Sequence, residues 1–188
     1  MKLFAPPDAL RAARALSRLS QEELCKKIHV TRQTVSAAER DPLAPYPTVS
    51  KMRAFYEELG LRFLGVFDID TGAITAAGVC WRYPDELPPS EANSARYHAE
   101  THGTAFLAAR SLLNASRAEV SKAAGISLRE MTALEAGHQA TSPEYYSLRL
   151  YYCTNGIEFT GVGDVRTGLY YGVGVRWKTS ADPHQKEI

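Results

Sequence analysis

The sequence predicts an α+β fold, mainly α, built as two tandem helical units of four to five helices, each followed by a β-hairpin. Three observations carry this. Moving the 188-residue chain along itself by 96 positions lays residues 10–82 on residues 106–178 without a gap. About a third of the aligned positions are identical, which is the signature of an internal repeat. The identities include Arg14/Arg110, Glu39/Glu135, Gly60/Gly156, Phe63/Phe159, Asp68/Asp164, Thr71-Gly72/Thr167-Gly168 and Trp81/Trp177. Within each copy the apolar period is helical up to Gly60 or Gly156 and strand-like after it. The length leaves room for two small domains of roughly 75 residues each. The expected organisation is a first unit at 1–82, a linker at 83–95, a second unit at 96–178 and a tail at 179–188.

The elements follow in order. Leu10, Ala13, Leu16 and Leu19 recur at helical spacing and predict a helix over 9–19. Ser20 with Glu23 three residues on is a capping box that opens a second helix over 21–28. Thr31 caps a third, over 32–39. Asp41-Pro42 and the prolines at 45 and 47 break the helical run, since proline removes a donor and clashes with the preceding turn. A fourth helix over 48–58 carries Val49, Met52, Phe55 and Tyr56, and Gly60 stands where a helix C-terminal glycine belongs. Residues 61–67 and 73–81 are strand-forming and joined by a glycine-containing loop, which predicts a hairpin. The second copy repeats it at 157–162 and 169–177. Lone hairpins are marginal in water, so the two are expected to pair into a small antiparallel sheet, within one chain or between two.

Composition narrows the function. No apolar run approaches the roughly 20 residues of a membrane span, and the N-terminus lacks a secretory h-region, so a cytoplasmic location is expected. Cys25, Cys80 and Cys153 are scattered and not equivalent between copies, which predicts buried thiols rather than a disulfide or metal framework. The net charge of +1 hides a local contrast. Residues 10–53 hold nine Lys/Arg against four acids, while the second copy has five against four, so the first unit is locally basic.

Two short helices with a three-residue turn, the second capped by Thr or Ser, form a helix-turn-helix signature. It runs from Leu19-Ser20-Gln21-Glu22-Glu23-Leu24 through Val30-Thr31-Arg32-Gln33-Thr34-Val35 to Glu39-Arg40. This string resembles the Cro/CI-like (XRE-type) family of transcriptional regulators. The second copy keeps weaker versions at 115–120 and 126–131, with the customary turn glycine at Gly125 where the first copy has His29. The stretch from Gly156-Ile157-Glu158-Phe159 to Gly174-Val175-Arg176-Trp177 resembles a C-terminal extension of bacterial members.

With the third helix in the major groove, its N-terminal residues face base edges. In the first unit those are Arg32, Gln33, Thr34 and Ala37. Gln33 suits adenine, Arg32 guanine or phosphate, and Ala37 a thymine methyl. Gln21 resembles the family's phosphate-clamping glutamine, and Arg117 replaces it in the second unit. Arg40, Lys51 and Arg11 are candidate backbone contacts. The second unit offers Leu128, Arg129 and Glu130 in place of Arg32, Gln33 and Thr34, so Arg129 joins the candidates while Glu130 repels the DNA backbone. The resemblance implies that Arg14–Glu39 and Arg110–Glu135 are internal salt bridges rather than DNA contacts.

Other signals are weaker. His98 and His102 stand at i and i+4, a metal-binding spacing if helical, without a third ligand, so no metal site is expected. The tyrosines of the second copy and the two tryptophans are expected to pack. No nucleophile–base pair or glycine-rich phosphate loop supports an enzyme, and no cofactor is implied. The expected function is a bacterial or phage regulator, a repressor binding a double-stranded operator near the nucleoid, read mainly by the first unit. Homodimerisation through the hairpins or second unit is the further expectation. The alternative is an anti-activator or inhibitor that uses the same scaffold to bind a protein partner.

Overall fold

Caps, prolines and left-handed residues set the limits of the helices. The computed structural model describes residues 5–138 and 142–179, with 91 and 92 by backbone only. The first helices are α1 (Pro7–Leu16), α2 (Gln21–Ile28), α3 (Arg32–Ala38) and α4 (Tyr46–Glu58). Strands β1 (Leu61–Phe67) and β2 (Ile74–Trp81) follow, then α5 (Glu91–Ser94) and β3 (Ala99–Glu100). The chain continues through α6 (Phe106–Leu113), α7 (Arg117–Ala124), α8 (Leu128–Glu135) and α9 (Pro143–Thr154), then β4 (Ile157–Gly163) and β5 (Tyr170–Trp177). The fold is α+β.

Helix α1 starts earlier and stops earlier than the apolar spacing predicts. Pro7 sits in its first turn, where the missing N–H costs nothing. It stops because Arg18 adopts φ 55° and the Leu19 N–H turns back to the Arg14 carbonyl. Proline also starts α4, two residues earlier than expected, with Pro47 in the first turn. The Ser20, Ser116 and Ser127 capping boxes all form. His29 ends α2 in the left-handed region at φ 52°, where Gly125 ends α7 at φ 68°. A side chain there costs roughly 1–2 kcal/mol that glycine avoids.

The two hairpins pair with each other inside one chain. β1 lies antiparallel to β2, and β4 to β5, each with a bulge two-thirds of the way along its first strand. β2 and β5 then pair antiparallel, Gly78 opposite Arg176, Val79 opposite Val175 and Cys80 opposite Gly174. Val79 and Val175 are counterparts at the 96-residue offset, and the same offset carries the Gly78–Arg176 pair onto the Gly174–Cys80 pair, so the contact has a local two-fold centre at Val79 and Val175. Glycine is required on both sides of that centre. A Cβ on Gly78 would meet the Val175 carbonyl oxygen at 2.2 Å, and one on Gly174 the Val79 oxygen at 2.2 Å.

The linker expected over 83–95 is followed, still ahead of α6, by a short strand that joins this sheet. β3 pairs with the start of β5, Ala99 opposite Tyr171 and Glu100 opposite Tyr170. His98 stacks on the Trp81 indole at 3.8 Å between ring centroids. The two histidines at i and i+4 therefore flank a strand and do not share a helix face, which removes the metal-binding geometry their spacing suggested.

Apolar burial is continuous between the two helical sets. α1 packs along α6, and both helices bury alanines (Ala9, Ala12 and Ala13 on one, Ala108 and Ala109 on the other), small side chains that allow close packing. Leu24, Val35, Met52 and Tyr56 fill the first set. Val120, Met131, Leu148 and Tyr152 fill the second, and Val79, Val173 and Val175 of the sheet join them. Cys80 is buried, Cys25 and Cys153 partly so, and all three are free thiols. Among the described residues no helix is long and apolar enough to cross a membrane.

Candidate nucleic-acid interface

The short α2–α3 pair is held by an ion pair underneath it. Glu39, at the C-terminus of α3, is almost fully buried. Arg14 of α1 donates to it through Nε (2.6 Å, to Oε1) and Nη2 (3.0 Å, to Oε2). Its remaining nitrogen reaches the Leu19 carbonyl. The second set repeats this with Arg110 Nε at 2.5 Å from Glu135 Oε1, and Nη1 on the Ala115 carbonyl. A fork-to-fork guanidinium–carboxylate contact fixes direction as well as distance, so α1 sets the tilt of α3, and α6 that of α8.

The two carboxylates differ in their third partner. Gln21 donates its side-chain amide to Glu39 Oε2 at 2.8 Å, while Arg117 donates Nε to Glu135 Oε2 at 2.6 Å. Both side chains expected to clamp phosphate are thus turned inward onto the buried glutamate. What α2 leaves outward at this point is the backbone N–H of its first turn, a donor without an intrahelical acceptor. Arg117 is 48% exposed, so part of its guanidinium still faces solvent.

Helix α3 presents its N-terminus to solvent. Arg32 and Gln33 are exposed, and Thr34 and Ala37 are half-buried. Thr31 accepts from the Thr34 N–H at 3.2 Å, and the two hydroxyls lie 2.7 Å apart, so the Thr34 side chain is engaged locally. Val35 and Ala38 face inward and anchor the helix. Arg40 folds back onto the Ser36 carbonyl, and Lys51 on α4 is exposed. The first turn of α3 has no acidic residue, so Arg32 adds to the positive helix end, and the acid whose charge it meets, Glu22, belongs to α2.

Helix α8 differs in its first turn. Leu128 is 54% exposed, Arg129 is exposed, and Glu130 accepts from the Ser127 N–H at 2.7 Å. That backbone hydrogen bond holds the Glu130 carboxyl below its ordinary range, which keeps a negative charge at the helix start. Arg11 was a further candidate for backbone contact and is in a different place. It donates to the Ser111 and Leu112 carbonyls at the end of α6 and to the Glu39 backbone oxygen. Its role is to cap one helix with a side chain of another, which periodicity could not disclose.

No curated protein and no solved structure matches the chain. Residues 10–63, from α1 into the first strand, match the Helix-turn-helix family, a match that points to a DNA-binding transcriptional regulator with an XRE-like helix-turn-helix at its N-terminal end.

Proposed function

We propose that the chain is a tandem duplicate acting as a single-chain counterpart of a dimeric regulator, a repressor that binds a double-stranded operator. The carrying observation is the exposed N-terminus of α3, bearing Arg32 and Gln33 without an acidic neighbour in its first turn, inside the stretch that matches the family. Arg32, Gln33, Thr34 and Ala37 read base edges. Arg40, Lys51 and the N-terminal N–H groups of α2 contact phosphates, and Arg117 and Arg129 supply weaker contacts from the second unit. Supporting the built-in pair are the β2–β5 contact, centred on equivalent residues, and the shared Arg–Glu pairs 96 positions apart. Because α8 carries Leu128 and Glu130 where α3 carries Arg32 and Thr34, the two half-sites are unlike.

Selection from a random duplex pool with the purified chain tests this. An asymmetric two-part motif should be enriched, and Arg32→Ala with Gln33→Ala should weaken binding to it by about 1–3 kcal/mol per lost base contact. Failure to enrich any sequence, or equal binding by the double variant, sinks the groove-reading proposal.

A second reading has its own observation. Leu128, Tyr146 and Leu150 of the second unit are 54%, 58% and 64% exposed. Such side chains at the start of α8 and along α9 suit a protein partner better than phosphate, as an anti-activator would need. Loss of partner binding on Leu128→Glu, with operator binding absent in the parent chain, would favour this reading.

A further inference from the structure

Away from α3 and α8, a cavity of about 490 Å³ lies where the first hairpin meets segment 83–97. Arg62, Arg82, Tyr83, Asp85, Arg96 and Tyr97 line it. That volume falls in the range of small-ligand sites. Three guanidinium groups face one carboxylate, and among the described residues none of the three forms an ion pair. Asp85 is engaged by the Tyr97 hydroxyl, which donates to Oδ2 at 3.2 Å. Arg82 is held from behind by the Glu57 carbonyl at 3.0 Å, and Arg96 by Asn93 Oδ1 at 3.3 Å, so both are positioned by neutral acceptors that leave their charge uncancelled. Tyr83 is pinned against β5, where a Cβ on Gly172 would meet its ring at 2.2 Å.

The second hairpin shows what this position looks like when it is neutralised. Arg62 stands across from Cys80 in the β1–β2 ladder. Its counterpart Glu158 stands across from Arg176 and takes two hydrogen bonds from it, both at 2.9 Å. The first hairpin thus has a cation where the second has a closed ion pair. Burial pushes the Cys80 thiol up to about 11, so it supplies no anion to replace the missing carboxylate. Asp85, Arg96 and Tyr97 come from the connecting segment, so the cavity belongs to one hairpin alone.

We infer that this cavity is a binding site for a compact multivalent oxyanion, a phosphate ester or a polycarboxylate, held by Arg62, Arg82 and Arg96. Guanidinium forks suit both oxyanions through paired charge-assisted hydrogen bonds. A ligand bridging Arg62 of the hairpin and Arg96 of the connecting segment would clamp the two together.

Isothermal titration of the full chain with pyrophosphate and, separately, citrate, at matched ionic strength, distinguishes the two chemistries. Saturable binding of either supports the site, and the better probe assigns its class. Arg62→Ala and Arg96→Ala should each weaken that binding by about tenfold, the scale of a lost charge-assisted hydrogen bond. Arg149→Ala, on the exposed side of α9, should leave it unchanged. Arg62→Glu, which installs the second hairpin's residue, should abolish it while the circular dichroism spectrum is retained. Absence of saturable binding by both probes, or equal losses in the Arg149 variant, overturns the inference.

Discussion

Glu39 and Glu135 are the residues on which each helix-turn-helix pair depends, because each is a nearly fully buried carboxylate whose partners come from two other helices. Removing the charge of one leaves a partly buried guanidinium with a backbone carbonyl but no anion to face. Glu39→Gln should therefore destabilise the chain by about 3–5 kcal/mol in urea unfolding, the cost of breaking a buried pair rather than the smaller value of keeping one. A cost below about 1 kcal/mol would show that water reaches the site. The copies also allow a finer comparison. Glu135 meets two guanidinium groups and Glu39 only one, so Arg117→Gln should cost less than Arg110→Gln. At this scale the sequence was informative for Arg14 and Arg110, whose pairing with Glu39 and Glu135 the family resemblance implied and both copies retain. It was misleading for Arg11. An arginine between apolar helix positions looks like a phosphate contact until α6 is placed so that its last carbonyls need a donor.

At the scale of elements, the β2–β5 contact depends on two glycines rather than on side chains. Gly78→Val should force the strands apart, since its Cβ would lie 2.2 Å from a carbonyl oxygen of the other hairpin. A destabilisation of about 1–3 kcal/mol is expected from overpacking against backbone, and retained stability would mean the hairpins separate freely. The connecting segment has its own sensor. His102 packs on Gly137 just after α8, and burial pushes its imidazole below the ordinary 6.5. The unfolded chain then binds the proton more readily than the folded one, so stability rises with pH across this window. The contribution is present in full above 6.5 and is lost as pH falls through that value to the lower folded one. Urea midpoints measured from pH 8 to 5 should fall, and His102→Asn should flatten that fall. Boundaries that periodicity misplaced, at the end of α1 and the start of α4, were decided by a left-handed Arg18 and by a proline tolerated in a first turn.

For the whole molecule, the pairing of hairpins within the chain makes a definite statement about assembly. Light scattering at micromolar concentration should give the mass of one chain, 20.7 kDa, because the β2 and β5 edges are joined to each other within the chain, which leaves the outer edges of β1 and β4. A dimer mass would show that a further surface, with Leu128, Tyr146 and Leu150 the exposed candidates, does the joining. Core residues run without a break from α4 through the sheet to α9, so thermal unfolding should be a single transition despite the repeated elements.

What the sequence by itself determined is local. Helices, caps, hairpin strands and the α2–α3 signature follow from spacings and side chains within a few residues of one another. The 96-residue offset then says that what holds in one stretch is to be sought in the other. Tertiary structure alone decided which strands meet, where Arg11, Gln21 and Arg117 point, and that residues 99 and 100 form a strand. Each of these rests on partners about 20 to 100 positions away, and no local pattern encodes a hydrogen bond whose acceptor belongs to another element. The cavity beside Arg62 is of the same kind. Its cation is visible in the sequence, but the lack of a cross-strand ion pair appears only when Arg62 is found across the ladder from Cys80, where the other hairpin sets Glu158 against Arg176.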